Sequence, residues 1–271
     1  MDEESGTSRG ALEKSRGVRC APRGAGCLRM CLAVPSGDRG FVLAGLDLAL
    51  RRLRELVDGE SGSVRVATGA TTVRHFMSDA VVAFRQQHPD VSLEFRTESS
   101  SRACFDALAD SSLDLAWITL GAPVRGIEQR PVMELPWVLA VGAEDPLARR
   151  PYVEAEDLSG LRLIRLPPNS TSAAHLDAAC AELGVRFAFD TSVADWDTAL
   201  LLAELGLGRA VVPALPGLAV PGGGDLRLVP LPALRPLSVG WAVRRWDALS
   251  PSARAFADTV TESCRTAVPH D

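Results

Sequence analysis

The order of apolar and polar positions between residues 64 and 98 predicts a strand, a helix and a second strand. Apolar residues at both ends of this stretch alternate with polar ones at a period of two, which is typical of strands: Val64 and Val66 at the start, and Val91, Leu93 and Phe95 at the end. Between them, six apolar residues recur at helical spacing and share one face: Val73, Phe76, Met77, Ala80, Val81 and Phe84. A helix between two such strands is the crossover that lets them pair in parallel.

The same alternation continues along the chain. Further strands are predicted at residues 113–118, 127–135, 136–141, 161–166, 187–191, 210–213, 226–231 and 237–243. Helix boundaries are marked between them: Asp195 is a plausible N-cap, Gly184 and Gly206 are plausible terminators, and Ser250-Pro251 opens the last helix. This order predicts an α/β protein with mainly parallel sheets.

The alternation of predicted strands and helices begins again near residue 145, which predicts two lobes. We expect one lobe at residues 60–145 and 237–271 and the other at residues 146–236, so that two crossings leave a cleft between them. Residues 41–59 are predicted to form an amphipathic helix that buries its stripe on the following lobe or on a second copy of the chain. Residues 1–40 have little periodicity and are expected to be irregular.

Composition narrows the class of protein. The chain has 271 residues, is 46% hydrophobic and carries a net charge of -5, so it lacks the domain-wide basic field of most nucleic-acid binders. The acidic start and the short apolar run at residues 30–34 predict a cytoplasmic protein without a membrane span. Cys104, Cys180 and Cys264 lie on apolar stripes and are expected in the core, and a metal site at Cys20, Cys27 and Cys31 is disfavoured because no histidine is near.

Four motifs in order resemble the effector-binding domain of LysR-type transcriptional regulators. They are SVRV at 63–66, FRQQHPDV at 84–91, LDLA at 113–116 and LGLGRAVVP at 205–213, and the match extends over about residues 41–262. The resemblance implies two Rossmann-like lobes of the type 2 periplasmic-binding-protein-like fold behind a dimerising linker helix. It also implies a small anionic effector, a homodimer or tetramer, DNA as the family's partner, and no cofactor.

The resemblance departs at the front of the chain. ALEKSRGVR at residues 11–19 is similar to the piece that joins the recognition helix of such regulators to the wing, but the residues that follow to Pro35 are not similar to the wing. A truncated or frame-disrupted reading frame, or a wrongly chosen start, would explain this remnant. The resemblance therefore supports effector sensing more strongly than direct DNA binding.

By position, the resemblance places the effector between the lobes, against loop hydroxyls and helix N-termini. The residues that it implies are Ala70, Thr71, Thr72, Ser99, Ser100, Ser101, Thr119, Asn169, Ser170, Thr171, Val193, Asp195 and Pro213. Helix N–H groups attract anions, so a carboxylate-bearing metabolite is the expected ligand. Any one Ser or Thr here could instead be an ordinary N-cap, and the carboxylate of Asp195 would disfavour an anion.

Other side chains near these turns leave two interpretations open. Arg74 and Arg102 could pair with a ligand carboxylate or could be solvated surface charges, and Trp117 and Trp196 could line the cleft or pack in the core. No catalytic or metal-binding motif is found, so we do not expect an enzyme. The alternatives are a transport-type solute-binding protein, which would need an export signal, an enzyme on this scaffold, or a sensing pseudo-regulator that does not bind DNA.

Overall fold

The first strand, helix and second strand form the unit that the sequence predicts. The structure is a computed structural model that describes residue 50 and residues 62–98, 100–218 and 225–267. Strand β1 (Ser63–Ala67) pairs in parallel with β2 (Ser92–Arg96), with Val64 opposite Leu93. Helix α1 between them consists of three consecutive pieces, Ala70–Thr72, Val73–Met77 and Ser78–Gln87. Its middle piece is a π-helical turn that the helical periodicity did not predict.

The remaining helices and strands alternate as predicted. They are α2 (Ser101–Ala109), β3 (Leu115–Thr119), β4 (Glu128–Leu135), β5 (Trp137–Gly142), β6 (Arg162–Arg165), α3 (Thr171–Glu182), β7 (Ala188–Ser192), α4 (Trp196–Glu204), β8 (Arg209–Pro213), β9 (Leu226–Pro230), β10 (Leu237–Val243) and α5 (Pro251–Ala267). Short 3-10 turns lie at Pro146–Arg149, Glu156–Leu158 and Trp246–Ala248. Gly184 and Gly206 follow α3 and α4 with φ of +70° and +69°, the left-handed geometry in which glycine ends a helix.

Two five-stranded sheets form the two lobes. The first has the strand order β2-β1-β3-β10-β4 and the second β7-β6-β8-β5-β9. β10 returns to the first sheet antiparallel to both β3 and β4, so the chain crosses between the lobes twice. The predicted α/β fold with two lobes is confirmed. Both sheets are mixed and not mainly parallel as we predicted, because β10 in the first sheet and β5 in the second run antiparallel to their neighbours.

The first crossing lies earlier than residue 145, where we predicted it. β5 pairs with β8 and β9 in the second sheet, so the chain crosses at Pro136. β5 is buried along most of its length, because it lies between two neighbouring strands, and its apolar side chains match this interior position. The second crossing lies between Pro230 and Leu237, next to the predicted boundary at residue 236.

Aromatic side chains join the first sheet to the helices that cover it. Trp241 of β10 lies 5.0 Å from Trp117 and 6.3 Å from Phe256 of α5, measured between ring centroids, and Phe256 lies 5.2 Å from Phe84 of α1. Ser250 caps α5 by accepting a hydrogen bond from the Ala253 N–H at 3.2 Å. This packing holds α1, and with it the turn at residues 68–72, in a fixed position on the first sheet.

Some predictions fall on residues that the structure does not describe. The irregular segment at residues 1–40, with Cys20, Cys27 and Cys31, lies outside the described residues, as does the predicted linker helix at residues 41–59 apart from Leu50, which is helical. Cys104, Cys180 and Cys264 are buried free thiols, as predicted. Within the described ranges, no helix combines the length and the apolar character needed to cross a membrane.

Candidate functional site

A cavity of about 270 Å³ opens between the two lobes. The first lobe lines it with the turn after β1, the start of α2 and the end of β3, and the second lobe with the turn before α3, the start of α4 and the end of β8. Open α/β sheets bind ligands in such a place, where the carboxyl ends of parallel strands meet helix N-termini. The cavity is therefore the candidate ligand site.

Most of the residues predicted for the site lie around this cavity. Those in its lining are Ala70, Thr71, Thr72, Ser100, Ser101, Thr119, Asn169, Ser170, Thr171, Asp195 and Pro213. Val193 is buried outside the lining, and its N–H donates a hydrogen bond to the Arg165 carbonyl oxygen at 2.9 Å. Ser99 lies outside the described residues. A role in effector binding stays a prediction for all of them.

Three of these residues cap helices. Ser100 Oγ accepts a hydrogen bond from the Ala103 N–H at 3.2 Å, and Ser170 Oγ accepts one from the Ala173 N–H at 3.5 Å. Asp195 Oδ1 accepts a hydrogen bond from the Thr198 N–H at 2.8 Å. Capping fixes the starts of α2, α3 and α4 at the wall of the cavity.

Hydroxyl groups of the two lobes meet at the cavity. Ser101 Oγ and Thr171 Oγ1 are 2.7 Å apart and form a hydrogen bond in which either can donate. Both residues open helices, so this contact brings the N-termini of α2 and α3 together.

A second interlobe contact centres on Asp197 of α4. Thr71 Oγ1 donates a hydrogen bond to Asp197 Oδ2 at 3.2 Å, and His75 Nε2 lies 3.0 Å from Asp197 Oδ1. His75 Nδ1 lies 3.2 Å from the Pro216 carbonyl oxygen, so both ring nitrogens face acceptors. For Arg74, the sequence left open a role in pairing with a ligand carboxylate. Its guanidinium lies 3.8 Å from the Asp197 carboxylate, its side chain is 72% exposed, and it is not in the cavity lining.

The sequence did not identify His75 or Asp197 as functional candidates. They are 122 residues apart, and no motif in the sequence relates them. Sequence position alone placed Asp197 in the first turn of a helix, where an acidic residue is common in any protein.

The charged side chains in the described part of the cavity lining are both acidic. They belong to Glu98 and Asp195, and the described lining contains no Lys, Arg or His. Burial, and next the nearby Glu98 carboxylate, raise the pKa of the Cys104 thiol to about 11. In the described ranges no group of His, Cys, Asp and Glu side chains is placed to hold a metal ion.

Apolar and unpartnered groups complete the cavity wall. Trp117 and Trp196 both line the cavity, and both also pack on other rings: Trp117 lies 5.3 Å from Phe76 and Trp196 lies 6.3 Å from Trp137. Thr68 is 7% exposed, and its Oγ1 is a buried polar atom with no hydrogen-bond partner in the described structure.

Comparison with known proteins gives a family and several relatives. The family described as LysR substrate binding domain matches residues 57–265. The chain is 27% identical over 214 residues to the uncharacterized HTH-type transcriptional regulator YbhD of Escherichia coli K12. The matched region covers 78% of this chain and 66% of YbhD. It therefore spans just under two thirds of the length of this relative.

Solved structures agree with this similarity. The C-terminal domain of a probable LysR family transcriptional regulator from Rhodococcus sp. RHA1 superposes with a TM-score of 0.63 at 25% identity, covering 74% of this chain and 99% of that one. The effector binding domain of QuiR in complex with shikimate superposes with a TM-score of 0.64 at 18% identity, covering 76% of this chain and 98% of that one.

Proposed function

Because the chain belongs to the LysR substrate binding domain family, we propose that it is the sensing part of a LysR-type transcriptional regulator whose effector is a small carboxylate. The effector would bind in the cavity between the lobes. Binding to DNA and assembly as a homo-oligomer belong to the same proposal, and the description of YbhD as an HTH-type transcriptional regulator supports the DNA-binding part.

One observation carries the carboxylate part of the proposal: α2 and α3 begin at the same point of the cavity. Their first residues, Ser101 and Thr171, are joined by a hydrogen bond of 2.7 Å. Each helix N-terminus carries a partial positive charge, so two that meet there repel one another and attract an anion. The shikimate of QuiR bears a carboxylate, but at 18% identity that protein supports the fold and not the ligand of this chain.

The way in which a ligand could change the protein's conformation follows from the lobe to which each lining residue belongs. Ser100 and Ser101 belong to the first lobe and Ser170 and Thr171 to the second, so a ligand that touches both helix starts is held most tightly when the lobes are closed. A ligand shifts a conformational equilibrium only by its difference in affinity for the two states. Effector binding would thus favour the closed lobes and reach the DNA-binding part through the predicted helix at residues 41–59.

A thermal-shift screen with small carboxylates tests the proposal. We expect at least one of them to raise the melting temperature, because a ligand at 100 times its Kd adds about 2.7 kcal/mol to the free energy of unfolding. Thr171→Val removes the hydroxyl at the helix junction and should weaken binding of that carboxylate about tenfold. Thr191→Val is the matched control, since Thr191 lies on β7 away from the cavity.

Two results would contradict the carboxylate proposal: no carboxylate changes the melting temperature, or Thr171→Val and Thr191→Val bind the responding carboxylate equally. The DNA-binding part is tested separately by gel retardation of upstream intergenic DNA at low salt, where phosphate contacts are strongest. The regulator proposal also excludes turnover, so chromatography of an incubated ligand should recover it unchanged.

A further inference from the structure

The cavity carries the wrong charge for a simple carboxylate ligand. Glu98 and Asp195 line it, and the described lining supplies no cationic side chain to offset them. In a partly dehydrated cavity, like charges repel more strongly than in water. The two helix N-termini attract an anion, but these two carboxylates oppose any ligand with net negative charge.

Glu98 has no directly bonded cation in the described part of the chain. The Arg96 guanidinium feels its charge at longer range and is itself paired with Glu94. Glu98 is half-buried, and it makes no hydrogen bond or ion pair of its own in the described part of the chain. Its negative charge reaches Cys104, which also lines the cavity: burial is the main cause of the raised pKa of the Cys104 thiol, and the Glu98 carboxylate is the second. Asp195 is already engaged through Oδ1 with the Thr198 N–H. Glu98 is therefore the lining carboxylate that has both oxygens available to bind a cation.

Thr68 gives independent evidence of an incomplete site. Its side chain is more than nine-tenths buried in the cavity lining, and Oγ1 has no hydrogen-bond partner in the described structure. An unsatisfied buried hydroxyl costs free energy, and such groups in native proteins call for an explanation. Oγ1 itself is covered from solvent, so a polar ligand would supply the partner by displacing the groups that cover it.

We propose that the effector is a small amphoteric molecule, with a carboxylate bound at the starts of α2 and α3 and a protonated amine bound by Glu98. Its apolar part would rest on Phe76 and Trp117, which line the same cavity of about 270 Å³. An amino acid with an apolar side chain is the simplest member of this class. The inference rests on the proposed function and adds a positive charge to the ligand.

Matched ligands test this inference on the unmodified protein. The probes are L-leucine, L-methionine and L-phenylalanine, each with its des-amino acid and its decarboxylated amine, measured by thermal shift and titration calorimetry. We expect at least one amino acid to bind about tenfold more tightly than both of its analogues, because charge-assisted hydrogen bonds are the strong ones.

The outcomes separate this inference from the proposed function. A des-amino acid that binds as tightly as its amino acid overturns the inference and leaves carboxylate sensing intact. An amine that binds as tightly as its amino acid overturns both. If none of the amino acids binds, the inference is wrong, and the carboxylate screen alone decides the proposed function.

Glu98→Gln locates the cation site, since it removes the charge and keeps the shape of the side chain. Affinity for the responding amino acid should fall about tenfold, while affinity for its des-amino acid should stay equal or rise. Glu204→Gln is the matched control: Glu204 is the last residue of α4, is exposed and is not part of the lining. Equal weakening of both ligands by Glu98→Gln would overturn the assignment.

Discussion

At the scale of single residues, burial determines the chemistry of the cysteines. Cys104, Cys180 and Cys264 are buried, and burial is the main cause that raises the pKa of each thiol to about 11. The thiolate is the reactive form, so these side chains are protonated and inert at neutral pH. Cys104 lines the cavity, and its raised pKa argues against a redox role there.

We expect iodoacetamide to label these three cysteines very slowly at pH 8 in the folded protein. Labelling should be fast in urea, and in native protein it should rise as the pH approaches 11. Because the pKa is raised in the folded state, the protonated thiols stabilise the fold below pH 9 and this contribution is lost towards pH 11. Mass spectrometry of a variant with Cys20, Cys27 and Cys31 replaced by Ser measures the rate. Rapid labelling of native protein at pH 8 would contradict the assignment.

At the scale of elements, the pairing of β10 with β4 in the first lobe contains a bulge. The pairing of β10 with β4 shifts register between Val239 and Gly240, where Val132 is the extra residue of β4. A side chain at Gly240 would overlap the Arg130 carbonyl oxygen and approach the Val132 nitrogen to 2.9 Å. The close approach of the two backbones therefore requires glycine at this position.

Gly240→Ala should lower the free energy of unfolding by about 1–3 kcal/mol, because overpacking forces the backbone to shift. Urea denaturation followed by tryptophan fluorescence measures the loss. Gly121→Ala is the matched control, since an added Cβ at Gly121 meets nothing within 4 Å. Equal denaturation midpoints for the two variants would show that the β4–β10 pairing adapts without cost.

At the scale of the whole molecule, two sets of described polar contacts join the lobes beside the apolar core that they share. Asp197 accepts from Thr71 and contacts His75, and Ser101 contacts Thr171. Each such hydrogen bond contributes only about 1 kcal/mol net. A ligand that touches both lobes can offset polar contacts of this size.

Asp197→Ala should favour open lobes by about 1–2 kcal/mol, because it removes the contacts to Thr71 and His75. Small-angle X-ray scattering should show a larger radius of gyration, and ligands that bridge the lobes should bind more weakly. Asp177→Ala is the control, because Asp177 pairs with Arg165 inside the second lobe. An unchanged radius of gyration for Asp197→Ala would show that other contacts set the closure.

Much of this architecture was predictable because its determinants are local. The helical stripe from Val73 to Phe84 and the alternation around it specified the β1-α1-β2 unit, and the caps at Ser250 and Asp195 are each set by a few neighbouring residues. The turns that line the cavity were also predictable, since parallel strands always present their carboxyl ends on one edge of a sheet.

The sequence by itself determined the two-lobed α/β fold and the turns that face the cleft. Only the tertiary structure decided that β5 belongs to the second sheet, that residues 73–77 form a π turn, and that Asp197 meets His75 across 122 residues. It also decided that Glu98 lines the cavity without a cationic side chain beside it in the described lining. Contacts of this kind depend on how distant segments pack together, and short-range periodicity carries no information about that packing.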